Sequence, residues 1–165
     1  LRYAHARARA LGRAVHFRQM DATRLAYPEH SFDVVFSSMF LHEVPLAGIR
    51  RVLAEAHRVL RPGGLMLHME LPPNHALPAY DGFYLDWDSW YNNEPFYKTF
   101  RDQDPVELCV AAGFRRDRVE RHVVPSLDWF GEEAFGRALA EEGAVDGNTG
   151  CFDQGISWYS FWAWK

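Results

Sequence analysis

The stretch from Phe32 to Glu70 limits the possible folds more than any other part of the chain. FDVVFSSM, Phe32 to Met39, is a continuous β-branched and aromatic run, the pattern of a strand covered on both faces as in a parallel sheet. After it Leu46, Ile49, Val52, Leu53, Ala56 and Leu60 recur at helical spacing, and Arg61-Pro62-Gly63-Gly64 is placed to stop that helix. LMLHME, Leu65 to Glu70, then predicts a second strand, ended by Pro72 and Pro73. Strand, helix, strand with a crossover of this length is the grammar of an α/β, doubly wound, mostly parallel sheet, whose connections are almost always right-handed.

The flanking segments extend this pattern. Leu1 to Leu11 predicts an amphipathic helix with Leu1, Ala4, Ala8 and Leu11 on one stripe and Gly12 at its end; Arg2, Arg7 and Arg9 form a solvated outer face. Val15 to Met20 alternates as a short strand does and stops at Asp21. From Tyr80 to Phe100 nine aromatic residues occur, with Phe83, Tyr84, Trp87, Trp90 and Tyr91 on one helical face and Asp81 and Asp88 opposite. This reads as an inserted helix with an aromatic underside. Asp104-Pro105-Val106-Glu107 is a helix start, with Asp104 as N-cap and Glu107 placed to close a capping box, and Gly113 ends the helix. Val119 to Val124 predicts a strand, Glu132 to Glu142 a short helix, and Ile156 to Trp164 a last aromatic strand. One domain over residues 1–165 is expected, with a cofactor-side part at 1–70, a helical insert or lid at 74–104 and C-terminal helices and strands at 105–165.

Composition narrows the function. The chain has 165 residues, is 48% hydrophobic and carries a formal net charge of −4, so no positive field is in place to hold a phosphate backbone and nucleic acid is not an expected partner. No apolar run reaches the roughly 20 residues of a membrane span, and no secretory signal pattern opens the chain, so a cytoplasmic protein without a membrane partner is expected. Cys109 and Cys151 are isolated and read as ordinary thiols; the histidines are scattered, and no metal site is expected.

In an open α/β sheet, ligands bind at the carboxyl ends of the strands. Those rims are Asp21-Ala22, Ser38-Met39-Phe40-Leu41-His42-Glu43 and Glu70-Leu71-Pro72. At these residues a resemblance appears. DATRLAYPEHSFDVVFSSMFLHEV, followed one helix later by RVLRPGG and a strand, resembles the central part of class I S-adenosylmethionine-dependent methyltransferases of the small-molecule type, such as ubiquinone and menaquinone C-methyltransferases. It covers Leu1 to about Glu70 well and the rest loosely; the order and spacing of these short motifs carry it, rather than any one of them.

The resemblance implies a Rossmann-like sheet with S-adenosyl-L-methionine as cofactor. It implies that Asp21 accepts a hydrogen bond from the adenine amine, that the backbone at Ala22 reaches an adenine nitrogen, and that Ser38 and Met39 lie beside the methionine part. An ionised carboxylate suits an amino group, and a small side chain lets the backbone approach a flat ring; Asp21 also has an ordinary reading as a turn residue or helix N-cap. The family's glycine-rich loop and ribose-binding acid would lie before Leu1, and its strand order 3-2-1-4-5-7-6 would place two further strands between those ending at Met20 and Met39. The expectation is an N-terminally truncated domain lacking its first two strands, inactive by itself.

Methyl transfer from a sulfonium is an in-line displacement, so the protein mainly aligns donor and acceptor and excludes water; a base is needed only if the acceptor must lose a proton. His42 is the candidate base, with a helix-cap or packing role as the alternative. Glu43 is placed to complement a helix dipole, and Glu70 either binds substrate or caps the following loop. Tyr84, Trp87, Trp90 and Tyr91 are candidate acceptor-binding residues of an aromatic lid, or a stripe that packs the insert on the sheet. The expected reaction is methyl transfer to a small, cyclic or aromatic metabolite. A degenerate half-domain acting only as an interaction surface is the alternative, and a nucleotide-dependent oxidoreductase is disfavoured by the missing Tyr-x-x-x-Lys. The acceptor, the atom methylated and the oligomeric state stay open.

Overall fold

The computed structural model describes residues 1–76, 79–125 and 157–165. In chain order these form α1 (Arg2–Ala10), β1 (Phe32–Ser38), α2 (Leu46–Val59), β2 (Leu60–Glu70), α3 (Ala79–Asn92), α4 (Tyr97–Arg101), α5 (Pro105–Ala111), β3 (Val119–Pro125) and β4 (Ser157–Trp164), with a 3-10 turn at Leu41–Glu43 between β1 and α2. The four strands make one sheet in the order β1-β2-β4-β3. β1 and β2 are parallel, with Ser38 opposite Met69, and β4 runs antiparallel to both β2 and β3. This is the 4-5-7-6 end of the strand order that the resemblance implies.

Helix α2 forms because its apolar residues fall on one face. Gly48, Ile49, Val52, Leu53, Ala56 and Val59 are all buried, and Ile49, Val52, Leu53 and Ala56 pack with Met66 of β2 and Tyr159, Phe161 and Ala163 of β4 in the main core, to which Leu108, Cys109 and Phe114 also belong. Each large aliphatic side chain buried there contributes roughly 1.5–3 kcal/mol. Helix α5 starts as expected, the Asp104 carboxylate accepting from Val106 N–H at 2.8 Å with Pro105 in the first turn. Glu107, however, does not reach back to close a capping box; both its oxygens accept from Arg116 Nη2, at 2.7 and 2.8 Å, which places the carboxylate outward. Buried Cys109 behaves as an apolar residue, its thiol pushed up to about 12 by burial. Cys151, the expected helix at 132–142 and residue 156 of the last strand lie outside the described residues.

Arg61-Pro62-Gly63-Gly64 does its work in a different place from the one expected. α2 ends at Val59, its cap Leu60 is already in extended conformation, and β2 starts at that residue. The four residues are instead absorbed where the pairing jumps from Phe32–Leu60 to Val34–Leu65. Gly63 takes a φ of +76°, and a Cβ on Gly64 would lie 2.9 Å from the Arg61 carbonyl and 3.1 Å from that of Asp33, so a side chain at 64 would break the bulge. Lys165 closes the same corner. Its backbone exchanges hydrogen bonds with Gly63 and Gly64, and its Nζ donates to the exposed end of α2 at the His57 carbonyl, 2.7 Å away.

Three expectations are corrected. Val15–Met20 is not a strand: no described strand lies beside it, and extended backbone becomes a strand only through a ladder. The His5–Phe17 ring contact, 4.9 Å between centroids, holds it near α1, whose own stripe buries nothing. β1 is covered on one face only. Val35 packs on the core, whereas Val34 and Phe36 on the other face are 53% and 59% exposed, because no described element packs there. Finally, the aromatic side of α3 is not its underside: Leu85 and Ser89 are the buried residues, and Phe83, Trp87, Trp90 and Tyr91 face outward.

His68 sits in the middle of β2 with its Nδ1 2.6 Å from Ser37 Oγ and no partner for Nε2 among the described residues. Complete burial holds its pKa down at about 4. The unfolded chain binds a proton near pH 6.5 and the folded one does not, so stability must fall as pH drops from about 6.5 towards 4, by up to about 3 kcal/mol from this residue. Urea melts of His68→Phe against the parent at pH 7 and pH 4.5 are expected to show the smaller acid loss in the variant.

Candidate active site

The parallel strands β1 and β2 end side by side, and the chain leaving β1 turns sharply there. Met39 adopts a left-handed φ of +49°, a conformation that costs a residue with a side chain roughly 1–3 kcal/mol, while its N–H donates to the Met69 carbonyl at 2.8 Å. The turn aims the next two backbone N–H groups at the end of β2. Glu70 Oε1 accepts from Phe40 N at 2.9 Å and from Leu41 N at 2.7 Å, and Oε2 lies 2.7 Å from His42 Nδ1. Glu70 is completely buried and His42 is 5% exposed. A buried carboxylate needs this many donors to be tolerated.

The two residues expected at separate points of the rim are therefore one unit. The Glu70 carboxylate fixes the imidazole with Nδ1–H donated to it, which leaves Nε2 as the exchangeable nitrogen. Burial alone pulls the His42 pKa down, but the Glu70 hydrogen bond and charge, with Glu94 and Glu43 adding to them, outweigh it and raise the pKa above 6.5. Glu43 Oε1 is 3.7 Å from Nε2. Glu94, half-buried, has its own pKa raised by burial.

The sequence reading missed the second side of this site. Tyr97 stands edge-on to the His42 ring, centroids 5.0 Å apart, and burial raises its phenol pKa. Arg101, one turn later in α4, lies over the same Tyr97 ring, its Cζ 5.5 Å from the centroid. Only the i, i+4 spacing of the two residues could have suggested a pair.

The loop that follows Asp21 and Ala22 is held by α2. Arg58 Nη1 and Nη2 donate to the Tyr27 and Leu25 carbonyls at 2.9 and 3.0 Å, and Glu55 Oε2 accepts from Leu25 N at 2.7 Å. Arg58 and Glu55 are themselves paired at 2.8 Å, so one ion pair fixes the loop that follows Asp21. Asp21 is exposed, and its Oδ1 accepts from both Thr23 N and Thr23 Oγ1 at 2.8 Å, bonds that lower its pKa. It thus has the geometry of the turn residue, with Oδ2 outside those two bonds. Ala22 is half-buried against the core, and Ser38 is exposed at the end of β1. The structure brings His42 and Glu70 together and places Ser38 and Met39 beside them at the strand ends. It does not bring Trp90 or Tyr91 there: both are largely exposed, and Trp87 contacts Tyr84 and Tyr91 along α3 at 5.7 and 4.6 Å. Among the described residues no group of three or more His, Cys, Asp or Glu could hold a metal, and no helix is long and apolar enough to cross a membrane.

Comparisons with known proteins agree with this geometry. Residues 1–68 match the methyltransferase domain family. The chain is similar to the phthiotriol/phenolphthiotriol dimycocerosates methyltransferase of Mycobacterium tuberculosis, 33% identical over 124 residues, which are 73% of this chain and 43% of that protein. It therefore spans less than half of that curated relative. Among solved structures it resembles a SAM-dependent methyltransferase from Methanosarcina mazei, at TM-score 0.61 and 19% identity over 99% of this chain and 76% of that one. It also resembles Haemonchus contortus phosphoethanolamine N-methyltransferase 2 in complex with phosphomonomethylethanolamine and S-adenosylhomocysteine, at TM-score 0.51 and 16% identity over 88% and 36% of the two chains. Residues 1–68 thus carry the sequence of a methyltransferase domain, and the strand order is that of the class I S-adenosylmethionine-dependent methyltransferase fold.

Proposed function

We propose that the protein transfers a methyl group from S-adenosyl-L-methionine to a small, cyclic or aromatic acceptor, with His42 as the general base. The observation that carries this reading is the buried His42–Glu70 pair at the carboxyl end of the parallel strands.

The residues present fit such a cofactor. Asp21 offers Oδ2 to an adenine amine, Ala22 is small enough to let its backbone lie against the ring, and Ser38 and Met39 would flank the methionine part. Glu43, Glu70 and Glu94 around His42 make the surroundings acidic, which favours a cationic centre. The bound cofactor would supply an already activated methyl group on its sulfonium. His42 Nε2 would take the proton that the acceptor loses, while Nδ1–H stays on the Glu70 carboxylate and the imidazolium that forms is stabilised by it. Tyr97 closes one side of the imidazole and excludes water from it. Tyr84 and Trp87 would offer flat apolar surface to the acceptor as it enters.

Calorimetric titration of S-adenosylhomocysteine into the full-length protein tests the cofactor assignment. Binding is expected, and Asp21→Ala is expected to weaken it roughly tenfold by removing one hydrogen bond; a full-length protein that does not bind would overturn the reading in favour of an interaction module. The base assignment has its own measurement. Its neutral form is required, so the rate rises with pH through the raised His42 pKa, and His42→Gln should lower turnover by about 10² to 10⁴ with cofactor affinity unchanged. Glu70→Gln places an amide donor against Nδ1. In ¹⁵N NMR of the imidazole, His42 should then carry its proton on Nε2 and titrate at lower pH than in the parent protein.

A further inference from the structure

Arg101 is the largest completely buried side chain among the described residues, and its hydrogen bonding is unfinished. Nη1 donates to Asp86 Oδ1 at 3.2 Å and Nε reaches the Pro72 carbonyl only at 3.4 Å. Nη2 is buried with no acceptor among the described residues. Asp86 does not belong to Arg101 alone, because its other oxygen accepts from Lys98 Nζ at 3.0 Å. Burial lowers the pKa of the guanidinium; the charges of Asp86 and Asp102 oppose this, yet neither carboxylate reaches Nη2.

Buried guanidinium groups are tolerated when their planar fork is filled by an oxyanion. Here one prong is open, and its position is not arbitrary. Pro72 follows the end of β2 by two residues, so the guanidinium stands at the same end of the sheet as Glu70. It lies over Tyr97, and Tyr97 in turn touches His42. Arg101 and His42 are thus both neighbours of the one Tyr97 ring.

We infer that Arg101, stacked on Tyr97, is the anion-binding end of the acceptor site, and that the acceptor carries an oxyanion, a carboxylate or a phosphate, which completes the open prong at Nη2. The proposal rests on the reading of His42 as the residue that meets the acceptor. It explains why arginine stands at a position otherwise suited to an apolar residue, between buried Phe100 and the α5 start. It also separates charge within the site: the acidic groups surround His42, and the guanidinium that meets Asp86 through Nη1 alone stacks on Tyr97.

The probes are benzoate, phenyl phosphate and the neutral benzamide, titrated into the full-length protein without cofactor. Binding is read from the Arg101 Nε–H cross-peak in ¹⁵N NMR and from calorimetry. Benzoate or phenyl phosphate is expected to bind and shift that peak, and whichever binds more tightly tells carboxylate from phosphate; benzamide is expected not to bind. Arg101→Lys should weaken the anion roughly tenfold by losing the fork, and Arg101→Gln should abolish binding. Equal binding of benzamide, anion binding that leaves the Arg101 peak unmoved or survives Arg101→Gln, or no binding of either anion overturns the inference. The peak shift is read on the unaltered protein, so it decides the matter even where Arg101→Gln does not fold. S-adenosylhomocysteine binding measured in parallel keeps a failure here distinct from a failure of the cofactor assignment.

Discussion

The site depends on one buried carboxylate. Glu70 collects two backbone N–H groups from the turn after β1 and the Nδ1 of His42, and so ties the ends of two parallel strands to each other and to the candidate base. Remove it, and two donors and an imidazole lose their partner in a dry environment, at a cost of roughly 1–3 kcal/mol for each. The left-handed backbone at Met39 is tolerated because those bonds over-determine it. The orientation of the candidate base and the stability of the strand ends rest on the same interaction here.

A second tie works at longer range. The Glu55–Arg58 pair on α2 holds the loop from Leu25 to Tyr27, and the same helix buries its other face in the core. α2 therefore serves as a ruler between the rim after β1 and the rim at Asp21. Its carboxyl end is in turn fixed by the Lys165 ammonium at the His57 carbonyl, so both ties act on the last turns of the helix.

Much of this was legible in the sequence, and the limits have physical causes. The apolar runs at Phe32–Met39 and Leu65–Glu70 located the strand ends, and hence His42 and Glu70 as rim residues. That the two touch was not legible, because it depends on Ser38 lying opposite Met69 and on the kink at Met39. Val15–Met20 has the right alternation for a strand, but alternation says nothing about whether a neighbour is there to pair with. In α3 the helical wheel gathered the aromatic residues on one face without saying which face meets the protein, and Leu85 and Ser89 decided it. Arg101 was invisible as a site residue because nothing in YKTFR marks an arginine that the tertiary structure buries.

The strand order carries a consequence for how the chain assembles. β4, made last, lies between β2 and β3 and is antiparallel to both, so order along the polypeptide and order across the sheet run against each other. Until residues 157–164 emerge, β2 has one edge without its partner and β3 has no neighbour in the described sheet. Closing that gap joins segments about ninety residues apart, a contact of high order that is slow to form. A ribosome-bound chain short of β4 would expose a sheet edge throughout its synthesis, the state in which nascent proteins are most prone to pair with one another.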